Sequence, residues 1–492
     1  MAEIILSIDQ GTTGTTVVLL DPELNICAHG YKAFRQIYPK PGWVEHDPED
    51  IWKSVLDAVQ VALQNSGISS SDIGAIGITN QRETSLIWNS TNGIPYHNAI
   101  VWQCRRTAAI CNQLKRDGHE ALFHQKTGLL IDPYFSGTKL KWQFDNIPGL
   151  REEGASGRAV AGTIDTFLIW KLTGGRSHAT DATNASRTML MNLDTLQWDE
   201  QLCSILDVPL NVLPEIRGCS DNFGHTKDVP GLPDGIPICG VAGDQQAALF
   251  GQICFKTGEA KCTYGTGAFL LMNTGDIPVF SKNRLITTVA WKLGVETTYA
   301  LEGSAFIAGS AVQWLRDGLQ LIDNVAQSEE LANQVPDTGG VTVVPAFVGI
   351  GAPHWRAEAQ GLITGLTLGT RRAHLVRAIL EGIALQSMEI LQAMESDCGR
   401  KLVELKVDGG ASANNLLMQM QADFMGCRIV RPKMVETTAL GAAFFAGLGA
   451  GIWNGFESIS KAWKEDRTFF PSISAEEHAA VLKRWGEAIK KA

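Results

Sequence analysis

Asp9-Gln10-Gly11-Thr12-Thr13-Gly14 lies between two apolar stretches, Glu3 to Asp9 and Val17 to Asp21. The β-branched and apolar residues predict two strands, and the Gly/Thr segment predicts a tight turn between them. Such a turn suits a phosphate group because it offers backbone N–H donors and hydroxyls without bulky side chains. Asp9, at the end of the first strand, can hold Mg²⁺, which prefers oxygen ligands and keeps several of its waters. Taken alone, the segment also fits an ordinary polar hairpin.

The same pattern returns in the second half of the chain. Ala260 to Tyr264 predicts a strand, Gly265-Thr266-Gly267 a turn, and Phe269 to Asn273 a returning strand. Another glycine-rich junction, Gly409-Gly410, follows the apolar segment that ends at Asp408. The repetition favours phosphate binding over two unrelated hairpins, and it indicates a duplicated architecture with a boundary near residue 250.

Helices are predicted between the strands, so the pattern indicates the α/β class. The first helix begins after Asp47, carries Pro48 in its first turn and ends at Gly67. A buried strand, Ile73 to Thr79, then leads into Asn80-Gln81-Arg82-Glu83. Later helices are predicted from Ala373 to about Cys398, from Ala413, and from Ser474, where Glu477 completes a capping box.

Composition limits the possible functions. The 492 residues are enough for two or more domains, and a formal net charge of −10 argues against non-specific nucleic-acid binding. The first residues lack the basic region of a signal peptide, and no apolar run approaches a membrane span, which predicts a cytoplasmic protein without membrane insertion. The ten cysteines form no C-x-x-C pair, so we expect free thiols.

Two common nucleotide-binding motifs are absent from the sequence. No G-x-x-x-x-G-K-[ST] segment occurs, and the first strand is not followed by G-x-G-x-x-G. These absences disfavour the P-loop and Rossmann folds.

The glycine-rich segments together resemble the ATPase motifs of the FGGY carbohydrate kinases, which have the actin-like fold. The resemblance rests on Asp9 to Thr13, Gly243 to Gln252, Tyr264 to Gly267 and Asp408 to Gly410. Tyr134 to Trp142 and Gly361 to Leu366 resemble the two signatures of that family. Within the family the match is close to the members that act on glycerol, through Gly42 to Pro48, Thr79 to Thr84 and Val101 to Gln103. It extends from residue 3 to about residue 450.

The resemblance implies two actin-like (ribonuclease H-like) domains, about 1–250 and 251–492, that close over a cleft. It implies phosphorylation of glycerol to sn-glycerol 3-phosphate in glycerol catabolism, with ATP and Mg²⁺. Glycerol is expected deep on the first domain and ATP mostly on the second. A homo-oligomer, either a dimer or a tetramer, is also implied.

Roles follow from the resemblance, position by position. Asp244 is the expected general base, and Asp9 the expected Mg²⁺ carboxylate. Arg82 is expected to be the cationic partner of Glu83 and Asp244. Glycerol contacts are expected from Arg82, Glu83, Trp102, Tyr134, Asp244, Gln245 and Phe269. Nucleotide contacts are expected from Thr12, Thr13, Gly14, Thr266, Gly309, Gln313, Gly410 and Asn414.

The chain departs from its relatives at two places. Thr16 stands where the family usually has a basic residue after the first phosphate turn. The segment from Phe223 to Gly231 does not match the Gly- and Arg-containing loop with which a bacterial relative binds fructose 1,6-bisphosphate.

Two other functions fit parts of the pattern. A kinase of the same family could act on a pentulose, although Arg82-Glu83 together with Asp244-Gln245 argues against it. An actin-like structural or chaperone ATPase would not need Trp102, Arg82 and Tyr134 together. Taken singly, Trp102 also fits a core residue, and Arg82-Glu83 a surface pair.

Overall fold

The computed structural model describes residues 3–356 and 358–492. Strands form at β1 Ile4–Gln10, β2 Gly14–Leu20, β3 Ile26–Ala33, β4 Glu45–His46, β5 Ile73–Asn80, β6 Ser85–Asn89, β7 Ala99–Ile100, β8 Ala159–Thr163, β9 Ala179–Asp181, β10 Met191–Asn192, β11 Gln197–Trp198, β12 Glu215–Arg217, β13 Ile238–Gly243, β14 Ala260–Tyr264, β15 Ala268–Gly275, β16 Ile286–Leu293, β17 Glu296–Ala305, β18 Thr342–Val344, β19 Leu362–Thr364, β20 Glu404–Asp408, β21 Arg428–Pro432 and β22 Glu465–Phe469.

Helices connect these strands. They are α1 Pro48–Ser66, α2 Ala108–Arg116, α3 Glu120–Thr127, α4 Ser136–Asn146, α5 Leu150–Ala155, α6 Ile164–Leu172, α7 Ala182–Ala185, α8 Glu200–Ile205, α9 Asp244–Gly251, α10 Gly309–Asp317, α11 Gln327–Ala332, α12 Arg372–Cys398, α13 Asn415–Met425, α14 Thr437–Gly449, α15 Phe456–Ser460 and α16 Ala475–Ile489. Short 3₁₀ turns lie at Ser70–Asp72, Leu210–Val212 and Gly410–Ala413. The α/β class predicted from the sequence is confirmed.

The first large sheet has five strands in the order β13-β5-β1-β2-β3. Strand β1 is antiparallel to β2 but parallel to β5, which is in turn parallel to β13. Almost every residue of these three parallel strands is buried, as is typical of strands covered by helices on both faces. Their carboxyl ends therefore meet at one edge of the sheet.

The second large sheet has seven strands in the order β16-β17-β15-β14-β20-β21-β22. Strand β14 is antiparallel to β15 and parallel to β20, and β15 is antiparallel to β17. Strands β14, β17 and β20 therefore run in one direction and end at the same edge. The repeated hairpin next to a parallel strand confirms the duplicated architecture predicted from the two Gly/Thr turns.

Most predicted helix ends are confirmed. The Asp47 side chain accepts a hydrogen bond from Glu49 N at the start of α1, and Gly67 ends this helix with a φ of 68°. Helix α16 has the capping box between Ser474 and Glu477. The helix predicted from Ala413 instead begins at Asn415, because the preceding residues form a 3₁₀ turn and the side chain of Asn414 caps α13 through Leu417 N.

The two halves of the chain are not packed independently. Helix α14 belongs to the second half by sequence, yet its side chains share an apolar core with strands β1, β2, β5 and β13 of the first sheet. The boundary near residue 250 stays a prediction. All ten cysteines are free, as expected. In the part of the chain that the structure describes, no helix has the length and apolar character needed to cross a membrane.

Candidate active site

Three polar segments converge where the adjacent parallel strands β1, β5 and β13 end. Gly11 N donates to Gly14 O at 2.9 Å, which closes the first Gly/Thr turn after β1. Gln81 N donates to Gln10 O at 2.8 Å and thereby joins the end of β5 to the end of β1. Asp244, after β13, is the first residue of α9. Ligands of open α/β sheets bind at such a convergence of carboxyl ends.

A cavity of about 160 Å³ lies at this edge. It is bounded by both halves of the chain, since the second Gly/Thr turn faces the segments that follow β1, β5 and β13. The lining residues are Thr12, Arg82, Glu83, Trp102, Tyr134, Asp244, Gln245, Thr263, Gly265, Thr266, Gly267 and Phe269. All seven residues predicted to contact glycerol are therefore brought together, along with two of those predicted to contact the nucleotide.

Arg82 is the central cation of the cavity. Its side chain is 1% exposed, and its Nε lies 3.0 Å from Asp244 Oδ1. Both terminal nitrogens bind the carboxylate of Glu302 in a bidentate pair, at 2.5 and 2.9 Å. Such a two-point contact fixes the plane of a guanidinium group. Arg82 is thus oriented by Glu302 from the second half of the chain, while its Nε faces Asp244 in the first half.

Arg82 pairs with Glu83 as expected, but Glu83 has a second cationic partner, Arg187, and so does not depend on Arg82 alone. Arg187 Nε donates to Glu83 Oε1 at 2.6 Å, whereas the nearest approach of Arg82 to that carboxylate is 3.9 Å. Arg187 also donates to Glu302 Oε1 at 2.9 Å. These four buried side chains, Arg82, Glu83, Arg187 and Glu302, form a closed ring of alternating charge, as buried charges require.

The ring sets different pKa values for its two acids. Burial raises the pKa of Glu302, but the charges of Arg187 and Arg82 outweigh burial and bring the pKa down to about 2. For Glu83, burial outweighs the same two cations, and the pKa is raised. Glu302 is therefore the carboxylate that keeps its charge most firmly, which suits its contact with both guanidinium groups.

Asp244 is a carboxylate with raised basicity. Burial raises its pKa, although the charges of Arg82 and Lys261 oppose that effect. Its side chain is still 27% exposed, so a ligand in the cavity can reach it. Lys261 Nζ is fully buried and holds the neighbouring Gln245 through its side-chain oxygen at 2.5 Å. Carboxylates with such surroundings are typical of general bases.

Asp9 lies among acidic groups. Burial, Asp244 and then Glu436 raise its pKa to about 8. A cation would relieve the repulsion among these carboxylates, so the residues fit the Mg²⁺ that the resemblance implies. Within residues 3–356 and 358–492, no three His, Cys, Asp or Glu side chains are placed to hold a metal by themselves. Mg²⁺ commonly takes its other ligands from water and substrate phosphates.

Aromatic side chains form one wall of the cavity. Trp102 Nε1 donates to Thr12 Oγ1 at 3.0 Å, which ties the indole to the first Gly/Thr turn. The Trp102 ring packs edge-on against Tyr134 and Phe269, with centroid distances of 5.7 and 6.4 Å. Because Phe269 lies in β15, this apolar wall also combines residues of both halves.

The other predicted nucleotide residues follow the strands of the second sheet. Gly309 N donates to Gly265 O at 3.0 Å, so the start of α10 lies against the second Gly/Thr turn. Gly409, with a φ of 82°, packs so closely on Tyr264 that a Cβ there would lie 2.6 Å from its carbonyl oxygen. Gly410 therefore follows directly beside the same turn, Asn414 caps α13, and Gln313 lies one helical turn along α10.

Comparisons with known proteins agree with this geometry. Residues 4–251 match the N-terminal domain, and residues 260–450 the C-terminal domain, of the FGGY family of carbohydrate kinases. The chain belongs to this family. A glycerol kinase of Bdellovibrio bacteriovorus is 54% identical over 492 residues, which cover 100% of this chain and 99% of that protein.

Solved structures give the same result for this FGGY kinase. The crystal structure of Plasmodium falciparum glycerol kinase with ADP matches with a TM-score of 0.92 and 41% identity, covering 100% of this chain and 98% of that one. A ligand-bound xylulose kinase from Lactobacillus acidophilus matches with a TM-score of 0.87, covering 99% and 97% of the two chains. At 23% identity, that second likeness shows the fold alone.

Not every predicted residue of this FGGY kinase lines the cavity. Thr13, Gly14, Gly309, Gln313, Gly410, Asn414 and Asp9 lie outside its lining, on the strand ends, turns and helices around it. Four buried residues received no role in the sequence analysis, namely Arg187, Glu302, Gln246 and Lys261. Gln246 lies within the Gly243 to Gln252 motif, whereas the partners of Arg187 and Glu302 are at least 104 residues away, so no local pattern predicts those two.

Proposed function

We propose that this chain transfers the terminal phosphoryl group of ATP to a primary hydroxyl group of glycerol, giving sn-glycerol 3-phosphate and ADP. The observation that carries the proposal is the small cavity in which Arg82, Glu83 and Asp244 face the second Gly/Thr turn. A short polyol can hydrogen-bond with each of these groups, and a buried polar site rejects ligands that leave its groups unpaired. The 54% identity to a glycerol kinase over the full length supports this choice of substrate.

Asp244 acts as the general base in this proposal. A primary alcohol keeps its proton at neutral pH, so the attacking hydroxyl must transfer that proton as its oxygen bonds to phosphorus. The raised pKa of Asp244 favours acceptance of the proton, and Arg82, 3.0 Å away, holds the carboxylate in place. In this proposal Gln245 and Tyr134 bind the remaining hydroxyls, while Trp102 and Phe269 exclude water from the carbon chain.

The phosphate groups are assigned to the two Gly/Thr turns. Thr12, Thr13, Gly14 and Thr266 offer hydroxyls and backbone N–H groups on opposite halves of the chain. The nucleoside is assigned to the second half, through Gly309, Gln313, Gly410 and Asn414. Mg²⁺, held near Asp9, would neutralise phosphate charge when bound, as phosphoryl transfer generally requires.

A substrate panel tests the proposal. The purified chain is assayed for ADP release with glycerol, dihydroxyacetone, xylulose, ribulose and gluconate at equal concentrations. Glycerol is expected to give the highest kcat/KM, with dihydroxyacetone weaker. A preference for a pentulose would overturn glycerol as the substrate and leave a kinase. ATP turnover that ignores every polyol would point to an actin-like ATPase without a small substrate.

Two further expectations stay predictions. Light scattering of the purified protein measures whether it is a homo-oligomer, a dimer or a tetramer, as the family resemblance implies. Fractionation of source cells measures whether it is cytoplasmic.

A further inference from the structure

Lys139, in α4, is a buried cation bound to backbone oxygens. Its side chain is fully buried. Its Nζ donates to the carbonyl oxygens of Glu83 at 3.3 Å, of Phe135 at 3.0 Å, and of Tyr134. An ammonium group has three protons, so these three bonds use its whole donor capacity. The lysine thereby joins two separate chain segments, each of which supplies a side chain to the cavity.

The carbonyl group that Lys139 binds belongs to a strained residue. Glu83 has a φ of 60°, in the left-handed region that residues other than glycine rarely adopt. Such a conformation persists only where the surroundings hold it. Ser136 Oγ donates to the same carbonyl oxygen at 3.0 Å, so two donors from α4 fix this turn. The turn directs the Glu83 side chain to the cavity and to Arg187.

We propose that Lys139 is a positioning residue for the polyol, because it fixes the spacing between Glu83 and Tyr134. It acts through these two residues and not on the substrate itself. The inference rests on the proposed function, since the site concerned is the glycerol site. Its loss should weaken glycerol binding selectively and leave the nucleotide side of the cleft unaffected.

The charge of Lys139 makes this role sensitive to pH. Burial lowers its pKa to about 7, although Glu83, Cys104, Asp132 and Cys111 oppose that effect. The ammonium form is therefore lost as the pH rises above neutrality, and with it the strongest hydrogen bonds to the carbonyl oxygens. The charged groups facing this region are the carboxylates of Glu83 and Asp132, paired with Arg187 and Arg105.

Three variants separate positioning from a general loss of stability. Lys139→Met keeps most of the length of the side chain and removes its donors. Ser136→Ala removes only the second hydrogen bond to Glu83 O. Lys406→Met is the matched control, because Lys406 Nζ also donates to two backbone carbonyl oxygens, of Gln252 and Ile253, at 2.8 and 3.3 Å. Each variant is measured for the KM of glycerol and of ATP, for kcat, for glycerol Kd by calorimetry, and for melting temperature.

Lys139→Met is expected to raise the Kd and KM of glycerol about 10- to 100-fold, with the KM of ATP changed less than about twofold. Ser136→Ala should raise glycerol KM by about 2- to 10-fold. Lys406→Met should change neither KM, whatever its melting temperature. The glycerol Kd of the unaltered protein should rise as the pH increases through about 7, and that rise should be absent from Lys139→Met.

A glycerol KM for Lys139→Met within about twofold of the unaltered protein overturns the inference. A similar rise in the KM of glycerol and of ATP, accompanied by a lower melting temperature, also overturns the inference, because it indicates a general loss of stability. If Lys139→Met does not fold, Ser136→Ala and the pH profile of the unaltered protein decide, and a flat profile with an unchanged Ser136→Ala overturns it. If the unaltered protein does not phosphorylate glycerol, the proposed function itself is wrong, which is a different outcome from failure of the Lys139 inference.

Discussion

The Asp244 carboxylate lies 3.0 Å from Arg82 Nε, at the first position of α9, with 27% of its side-chain surface exposed. It is thus held by a cation and by the helix start while it stays accessible to a hydroxyl group. Burial raises its pKa, which improves its basicity. Three roles fit this position: a general base, a Mg²⁺ ligand, or a residue that only stabilises the helix start.

Asp244→Asn separates these roles. The variant keeps the size of the side chain and one acceptor oxygen, so we expect kcat to fall ~10²–10⁴-fold while the KM of ATP changes little. Recovery of activity at high Mg²⁺ would identify a metal ligand instead. Asp199→Asn is the control, since Asp199 accepts hydrogen bonds from Gln201 N and Leu202 N at the start of α8. It should lose no more than about 1 kcal/mol of stability, because asparagine caps a helix about as well as aspartate, and it should lose no activity. A near-normal kcat for Asp244→Asn at every Mg²⁺ concentration would contradict the general-base role.

The low pKa of Glu302 predicts how the stability of the protein changes in acid. Its folded pKa of about 2 lies below its ordinary value of 4.5, so the stability it contributes is present above pH 4.5 and is lost as the pH falls towards 2. The full contribution is about 3 kcal/mol. We expect Glu302→Gln to lower the denaturant midpoint most above about pH 5, and the gap from the unaltered protein to narrow on acidification.

Glu381 provides a control of opposite sign. Burial raises its pKa to about 7, although Arg484 and Arg377 oppose that effect. Its contribution to stability is therefore present below pH 4.5 and is lost as the pH rises through about 7. The stability of the unaltered protein relative to Glu381→Gln should therefore rise on acidification, whereas its stability relative to Glu302→Gln should fall. Equal pH trends for the two variants would show that neither carboxylate controls them.

Among the elements, α9 and α14 set the position of Asp244. They cross so closely that a Cβ on Gly441 would lie 1.8 Å from Ala247 O, and one on Gly251 would lie 2.0 Å from Thr437 O. Glycine is required here by the approach of the two backbones and not by an unusual φ. The crossing fixes α9 against the first sheet, and with it the carboxylate at the amino end of the helix.

Gly441→Ala should therefore disturb both stability and catalysis. Separation of α9 from α14 costs about 1–3 kcal/mol or more, and it moves Asp244 relative to the second Gly/Thr turn. We expect a lower melting temperature and a reduced kcat. Gly486→Ala in α16 is the control, because nothing lies within 4 Å of the added Cβ. It should gain about 0.5–1 kcal/mol and keep full activity. A normal kcat for Gly441→Ala would show that α9 does not depend on this crossing.

Local signals account for what the sequence could predict. The first helix was placed correctly because Asp47, Pro48 and Gly67 each mark an end by their own backbone chemistry. The start of α13 was missed, since Gly410–Ala413 form a 3₁₀ turn that no local pattern distinguishes from a helix. Arg187 and Glu302 were missed for another reason, as they are 115 residues apart and meet only in the folded chain.

Over the whole molecule, one helix makes the two halves interdependent. Leu440, Phe444 and Phe445 of α14 are buried, in one apolar core with Ile5 and Ala242 of the first sheet. Without α14 this face of the sheet would be open to water, and exposed apolar surface of that kind favours aggregation. The N-terminal half is therefore not expected to be an autonomous folding unit, although the match to the N-terminal domain of the family ends at residue 251.

A fragment experiment tests this dependence. Residues 1–251 alone are expected to lack a cooperative thermal transition and to aggregate, because the face that α14 covers is exposed. Gly251 packs directly on Thr437, so a short Gly/Ser linker can join residues 1–251 to 434–464 and restore the missing helix in place. That chimera should be monomeric, with a cooperative transition in far-UV circular dichroism. The same chimera with Leu440, Phe444 and Phe445 replaced by serine should behave like the fragment alone. A cooperative, monomeric fragment 1–251 would show that the first sheet folds without α14.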